Sequence, residues 1–108
     1  MEFKNSVTLS GLVGENAVHN MGEVSVARFG LCTERSYNGT DGPVVETTWH
    51  NVTAWEGDGI TLRSLKSIRR GSFVTVTGRI RTFTYTTWDG GTKLSHEIIA
   101  DSLSVKNF

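Results

Sequence analysis

Through most of the chain apolar and polar residues alternate, the period expected when one face of a β-strand is buried and the other is wet. In VSVARFGLCT, Ala27, Phe29 and Leu31 fall on one parity. SVTLSGLV sets Val7, Leu9 and Val13 against Thr8 and Ser10, and FVTVTGRIRTFTY sets Val74, Val76 and Ile80 against Thr75, Thr77, Arg79 and Arg81. TTWHNVTAW and SHEIIADSLSV supply two further runs. Clusters rich in Gly, Asn and Asp, the residues turns favour, separate the runs at 14–23, 38–43, 56–59, 69–72 and 88–91. One stretch breaks the period. In ITLRSLKSI, residues 60–68, Leu62, Leu65 and Ile68 have helical spacing, after a GDG whose Asp58 or a neighbour suits a cap. The predicted order is three strands, one short helix and two strands.

A lone sheet of this length leaves two edges open to pairing with other chains, and closure into a barrel removes them. The expected fold is all-β, a five-stranded oligonucleotide/oligosaccharide-binding barrel (OB-fold), with one short helix between strands three and four plugging one end. The 108 residues carry no repeat and no linker, so a single domain over 1–108 is expected. No apolar run is long enough to span a bilayer, and MEFKNSVTLS lacks the apolar stretch of a signal peptide, so a cytoplasmic protein is expected. Cys32, the single cysteine, excludes an internal disulfide and reads as a small core residue.

Eleven basic and eleven acidic side chains balance, but they are segregated. Residues 1–58 hold eight acids against Lys4, Arg28 and Arg35, whereas 59–88 hold Arg63, Lys66, Arg69, Arg70, Arg79 and Arg81 and no acid. That segment is either a solvated surface or an anion-binding face.

Nothing in the sequence groups into an active site. His19, His50 and His96 are scattered, Cys32 has no CxxC partner, and HExxH, GxSxG and P-loop patterns are absent. No metal site or cofactor is expected, and His50, on the inward parity of its strand, reads as a core or interface histidine. Aromatic placement carries more. Trp49, Asn51, Thr53 and Trp55 share the polar face of strand three, Phe83 and Tyr85 share the parity of Arg79 and Arg81, Trp88 opens the WDGG turn, and Tyr37 ends strand two near Arg35. Every nucleobase has a π-face, so aromatics interleaved with cations hold a single strand without reading its sequence. The plain alternative is a second small core or a subunit interface.

NSVTLSGLVG, VARFGLCT, ETTWHNVTAW, RRGSFVTVTGRIRTFTY and HEIIADSL, in that order and spacing, resemble the bacterial single-stranded DNA-binding protein (SSB) family from about Asn5 to Leu103. The resemblance implies a non-enzymatic OB barrel, commonly a homotetramer, around which single-stranded DNA wraps. By position it places base stacking on Tyr37, Trp49, Trp55 and Tyr85, with Trp88 added from its own setting. Phosphate contacts fall on Arg70 and Arg81, then Arg35, Arg79 and Lys93, and His50 falls in the subunit interface. Gly57, Phe83 and Thr84 stand where the family often has basic residues, which implies fewer phosphate contacts. The chain stops at SLSVKNF without the family's acidic tail, so weak recruitment of tail-dependent replication and repair enzymes is expected. An OB-fold primosome assembly factor resembling PriB is the competing reading, favoured by the short, tailless chain.

Overall fold

A computed structural model describes residues 1–57 and 59–108; within that range the side chains of 16–21 lie outside the description, as does Asp58 altogether. The elements are β1 (Val7–Met21), β2 (Val24–Gly39), β3 (Gly42–Trp55), α1 (Leu62–Ser67), β4 (Phe73–Thr86) and β5 (Thr92–Lys106). They close into a barrel in the order β1-β2-β3-β5-β4, with β4 returning to β1. Every pairing is antiparallel except β3 with β5, which meet in parallel at Val52↔Ile98 and Thr53↔Ile99. This is the five-stranded OB barrel with its helix between the third and fourth strands.

The alternating runs supply the core. Ala27, Phe29 and Leu31 of β2, Val52 and Ala54 of β3, Val74 and Val76 of β4, and Ile98 and Ala100 of β5 point inward with Val13. Ile60, Leu65 and Ile68 close one end from the helical segment. The helix is shorter than the 60–68 its spacing suggests, because Ile60 pairs back to Gly57 and Ile68 is extended. Its cap is Thr61, whose Oγ1 accepts from the Ser64 amide at 3.1 Å; the alternative, Asp58, lies outside the described residues.

Three expectations change. Residues 14–21, read as part of a turn, continue β1, and the chain reverses only at Gly22 and Glu23, with Gly22 at φ 72°. Ile80 keeps the parity of Val74 and Val76 yet is 46% exposed, because β4 has by then run past its last pair with β1, Val7↔Gly78. Cys32 is half-buried and not a core residue: it lies on the outer face, directly across from Trp49. The last strand also slips its alternation. Between Thr77↔Ser102 and Gly78↔Ala100 it carries one extra residue, Asp101, so that Ile98 and Ala100 face inward before the bulge and Leu103 and Val105 pack against the core after it.

Candidate nucleic-acid interface

Trp49 and Trp55 are 61% and 40% exposed on the outer face of β3, with exposed Asn51 between them. Six strand residues put the two Cα atoms about 20 Å apart. Trp49 shares a shallow hollow with Gly14, Glu15, Gly30, Asn51 and Arg70. Arg70 reaches it from the turn after α1, where Gly71 takes φ 89°. That turn is bolted to β1: the Gly71 amide donates to the Val13 carbonyl and the Val13 amide to the Ser72 carbonyl, both at 2.9 Å. Arg70 and Trp49 are therefore neighbours, although 21 positions separate them in the sequence.

Thr53, expected on the open face, is buried, because β5 pairs beside it and carries the Glu97 side chain onto it. Its Oγ1 donates to Glu97 Oε2 at 2.7 Å, and Arg81 Nη1 donates to Glu97 Oε1 at 2.5 Å. Burial raises the Glu97 carboxyl's pKa, but the Thr53 hydroxyl and the Arg81 and Arg28 guanidinium groups outweigh it and hold the group below the ordinary glutamate value. This triad forms one wall of a cleft of about 640 Å³ that also takes in Arg28, Asn51 and Phe83. Arg81 thus stands at the cleft already neutralised. Arg79 is paired too, with Asp101 at 3.5 Å, but both partners are more than half exposed, so that pair is weak.

Beyond the cleft, β4 and β5 run on as an arm. Arg81 lies 5.2 Å from the centre of the Phe83 ring, and the Phe83 and Tyr85 rings are 6.5 Å apart at 43°. Lys93 pairs opposite Tyr85, and Trp88 at the tip is 99% exposed. The tip is held by its own turn: the Thr87 amide donates to the Gly91 carbonyl at 2.8 Å, and Asp89 accepts from the Thr87 hydroxyl and the Gly91 amide. These bonds lower the Asp89 pKa.

The second arm is the outer part of β2 and β3. Arg35 lies 5.4 Å from the centre of the Tyr37 ring. The β2–β3 register is unbroken, so Tyr37 and Arg35 continue the parity of Phe29 and Leu31 and occupy the opposite side of the ribbon from Trp49. His50 shares that inner side. It is half-buried and shares a 2.9 Å hydrogen bond with Thr33, and burial followed by the charge of His96 lowers its pKa.

The structure therefore assembles the candidates in three groups: Trp49 with Arg70, Arg81 with Phe83 and Tyr85, and Tyr37 with Arg35. Trp55, Trp88, Lys93 and Arg79 stand along the margins. Glu97, Arg28 and Gly14 also belong to this surface and escaped the sequence reading. Arg28 was visible as the polar residue between Ala27 and Phe29, whereas Glu97 and Gly14 matter only through partners distant in sequence.

A closed five-stranded barrel bearing aromatic and basic side chains on one outer face and two arms defines an OB-fold binding module. Residues 4–106 match the single-strand binding protein family, and the chain belongs to that family, whose members are non-enzymatic. Similar solved structures include a Plasmodium falciparum SSB in complex with ssDNA, at 25% identity and TM-score 0.81, covering 97% of this chain and 95% of that one. A small single-stranded DNA-binding protein from Streptomyces coelicolor shares the fold at 19% identity and TM-score 0.73, covering 96% of each chain. No curated protein sequence matches the chain. Among the described residues, no helix is long and apolar enough to cross a membrane.

Proposed function

We propose that this chain binds single-stranded DNA without sequence preference and protects it during replication, recombination and repair, in the cytoplasm at the nucleoid. The observation that carries the reading is the outer face itself. Trp49 and Trp55 are large apolar side chains left open on a strand whose other face is core, and Arg70 stands beside the first. Trp49, Trp55, Tyr37, Tyr85 and Trp88 stack on bases; Arg70, Arg35 and Lys93 neutralise phosphates, and Arg81 and Arg79, each already paired with a carboxylate, contribute less. Membership of the SSB family and the likeness to an SSB solved with ssDNA support this reading.

The 108 residues act as one binding unit that assembles as a homotetramer, with His50 in a subunit interface. Leu12 and Phe73, paired across β1 and β4 and 50% and 37% exposed, add apolar surface that a second copy covers. Titration with oligo-dT of increasing length, at two salt concentrations, tests the function through tryptophan fluorescence. Strong quenching that weakens with salt is expected. Unchanged fluorescence at saturating oligonucleotide overturns the reading. Sedimentation at micromolar concentration tests the assembly, and a monomer refutes it.

A further inference from the structure

We propose that Gly14 is a positioning residue for the Trp49 stacking platform: its missing methyl group is the seat on which the indole is held for a base. The inference rests on the proposed function and deepens it.

Glycine at 14 is not explained by the backbone. Its φ lies outside the left-handed region, unlike Gly22, Gly42, Gly71 and Gly90. Nor does a neighbouring main chain require it. A Cβ added at Gly11 or Gly78 would run into a carbonyl oxygen of the paired strand 2.0 Å away, and one at Gly59, in the turn before α1, into the Asp101 carbonyl at 2.2 Å, so those glycines serve close backbone packing. At Gly14 the three nearest atoms all belong to Trp49: Cζ3 at 2.8 Å, Cη2 at 3.0 Å and Cε3 at 3.9 Å. Gly30 forms the other half of the seat, with Trp49 Cε3 and Cζ3 at 3.6 and 3.8 Å from its added Cβ and nothing else within 4 Å. The six-membered ring of Trp49 thus rests against two bare strands, with Arg70 beside it.

A ring held in this way has already lost much of its rotational freedom before a base arrives, so less of the stacking energy goes into ordering it. Alanine at 14 removes the hold. Contact at 2.8 Å is too close for any carbon pair, and the indole is the group free to yield, so the ring is displaced while both strands stay in place. At Gly30 the same methyl meets the ring at ordinary contact distance and displaces nothing.

The test measures the affinity of the 108-residue chain for fluorescein-labelled oligo-dT by anisotropy, in a double-mutant cycle between Gly14 and Trp49, with Gly57→Ala for comparison. A stacked base is worth about 1–3 kcal/mol, a factor of about 5 to 150, and Gly14→Ala should forfeit part of it, weakening binding about three- to tenfold. Gly57→Ala should bind as the unaltered chain does, because a methyl there meets nothing within 4 Å. In the Trp49→Phe background, where Cζ3 and Cη2 are gone, Gly14→Ala should cost nothing further. Additive losses overturn the proposal, as does equal binding by Gly14→Ala and the unaltered chain. If Gly14→Ala fails to fold, the Gly14→Ala, Trp49→Phe double variant should fold, and its failure shows that the glycine serves the backbone and overturns the proposal. Absence of binding by the unaltered chain defeats the functional reading and this proposal together.

Discussion

Two tryptophans show how differently one side chain can be used within a single barrel. Trp49 lies against Gly14 and Gly30 beside Arg70, on a strand whose opposite face is core, and keeps 61% of its surface open. Trp88 sits at the end of the β4–β5 arm, 99% exposed, in a turn held by its own hydrogen bonds. Their stacking potential is equal, but the cost of using it is not. Ordering a free side chain at an interface costs about 0.5–1.5 kcal/mol. The strand-borne ring has met most of that cost in folding, while the arm-borne ring meets it on binding.

Truncating each ring in turn separates the two uses most directly. Trp49→Ala should weaken oligo-dT binding by the full about 1–3 kcal/mol of a stacked base, and Trp88→Ala by less than about 1 kcal/mol, as read by anisotropy with labelled oligonucleotide. Equal losses would show that the seat confers no advantage.

A smaller separation is expected among the cations. Arg70 has no carboxylate partner among the described side chains, so Arg70→Ala should lower the slope of log K against log [salt] by about 0.7 if it meets one phosphate. Arg81 is engaged by Glu97, and Arg81→Ala should change the slope less. Matched slopes for the two variants would mean that Arg81 leaves its partner on binding.

Glu97 itself is a matter of stability. Glu97→Gln should cost about 1–3 kcal/mol by weakening the Arg81 bond and the Thr53 acceptor, measured by urea unfolding at neutral pH. Because its folded pKa lies below the unfolded value, the contribution is complete above the ordinary glutamate pKa of about 4.3 and is lost as pH falls through the lower folded value. The gap between the unaltered and Glu97→Gln proteins should therefore close in acid, and a gap independent of pH would remove Glu97 as its source.

The smallest effect is expected at His50. Its pKa is lowered in the fold, so the neutral form is favoured there, and the contribution is complete above the unfolded value near 6.5 and declines below it. His50→Gln should flatten the stability profile slightly between about pH 6.5 and the lower folded pKa. An unaltered profile would show that burial at the barrel rim does not govern its titration.

The barrel was legible in the sequence because burial writes a period. Ala27, Phe29 and Leu31, or Val74 and Val76, alternate because one side of each strand meets the core. The arms were not. From 34 to 47 no side chain is buried on either face, so no period exists there, and the residues nearest the turns read as loop. Trp49 and Trp55 were found because two large aromatics broke the expected polarity of an outer face. Glu97 and Gly14 could not be found that way. One depends on a pairing between β4, β5 and β3 and the other on an indole 35 positions away, and neither leaves a local mark. Ile80 misled for the converse reason: its parity is right, but parity does not say where the barrel ends.

The barrel's hoop is uneven. Four of its joints are long antiparallel ladders, whereas the joint between β3 and β5 is two residue pairs, Val52↔Ile98 and Thr53↔Ile99, supplemented by the Thr53 hydroxyl on Glu97. A ring parts where it is narrowest, so local opening begins there. Trp49 and Trp55 flank that joint on the outside, three positions before Val52 and two after Thr53. A DNA strand lying across both indoles would act as an external splint over the gap, and by mass action would favour the closed ring in proportion to its own affinity. Amide exchange at Val52 and Thr53 should therefore slow on binding more than exchange along the β1–β2 ladder.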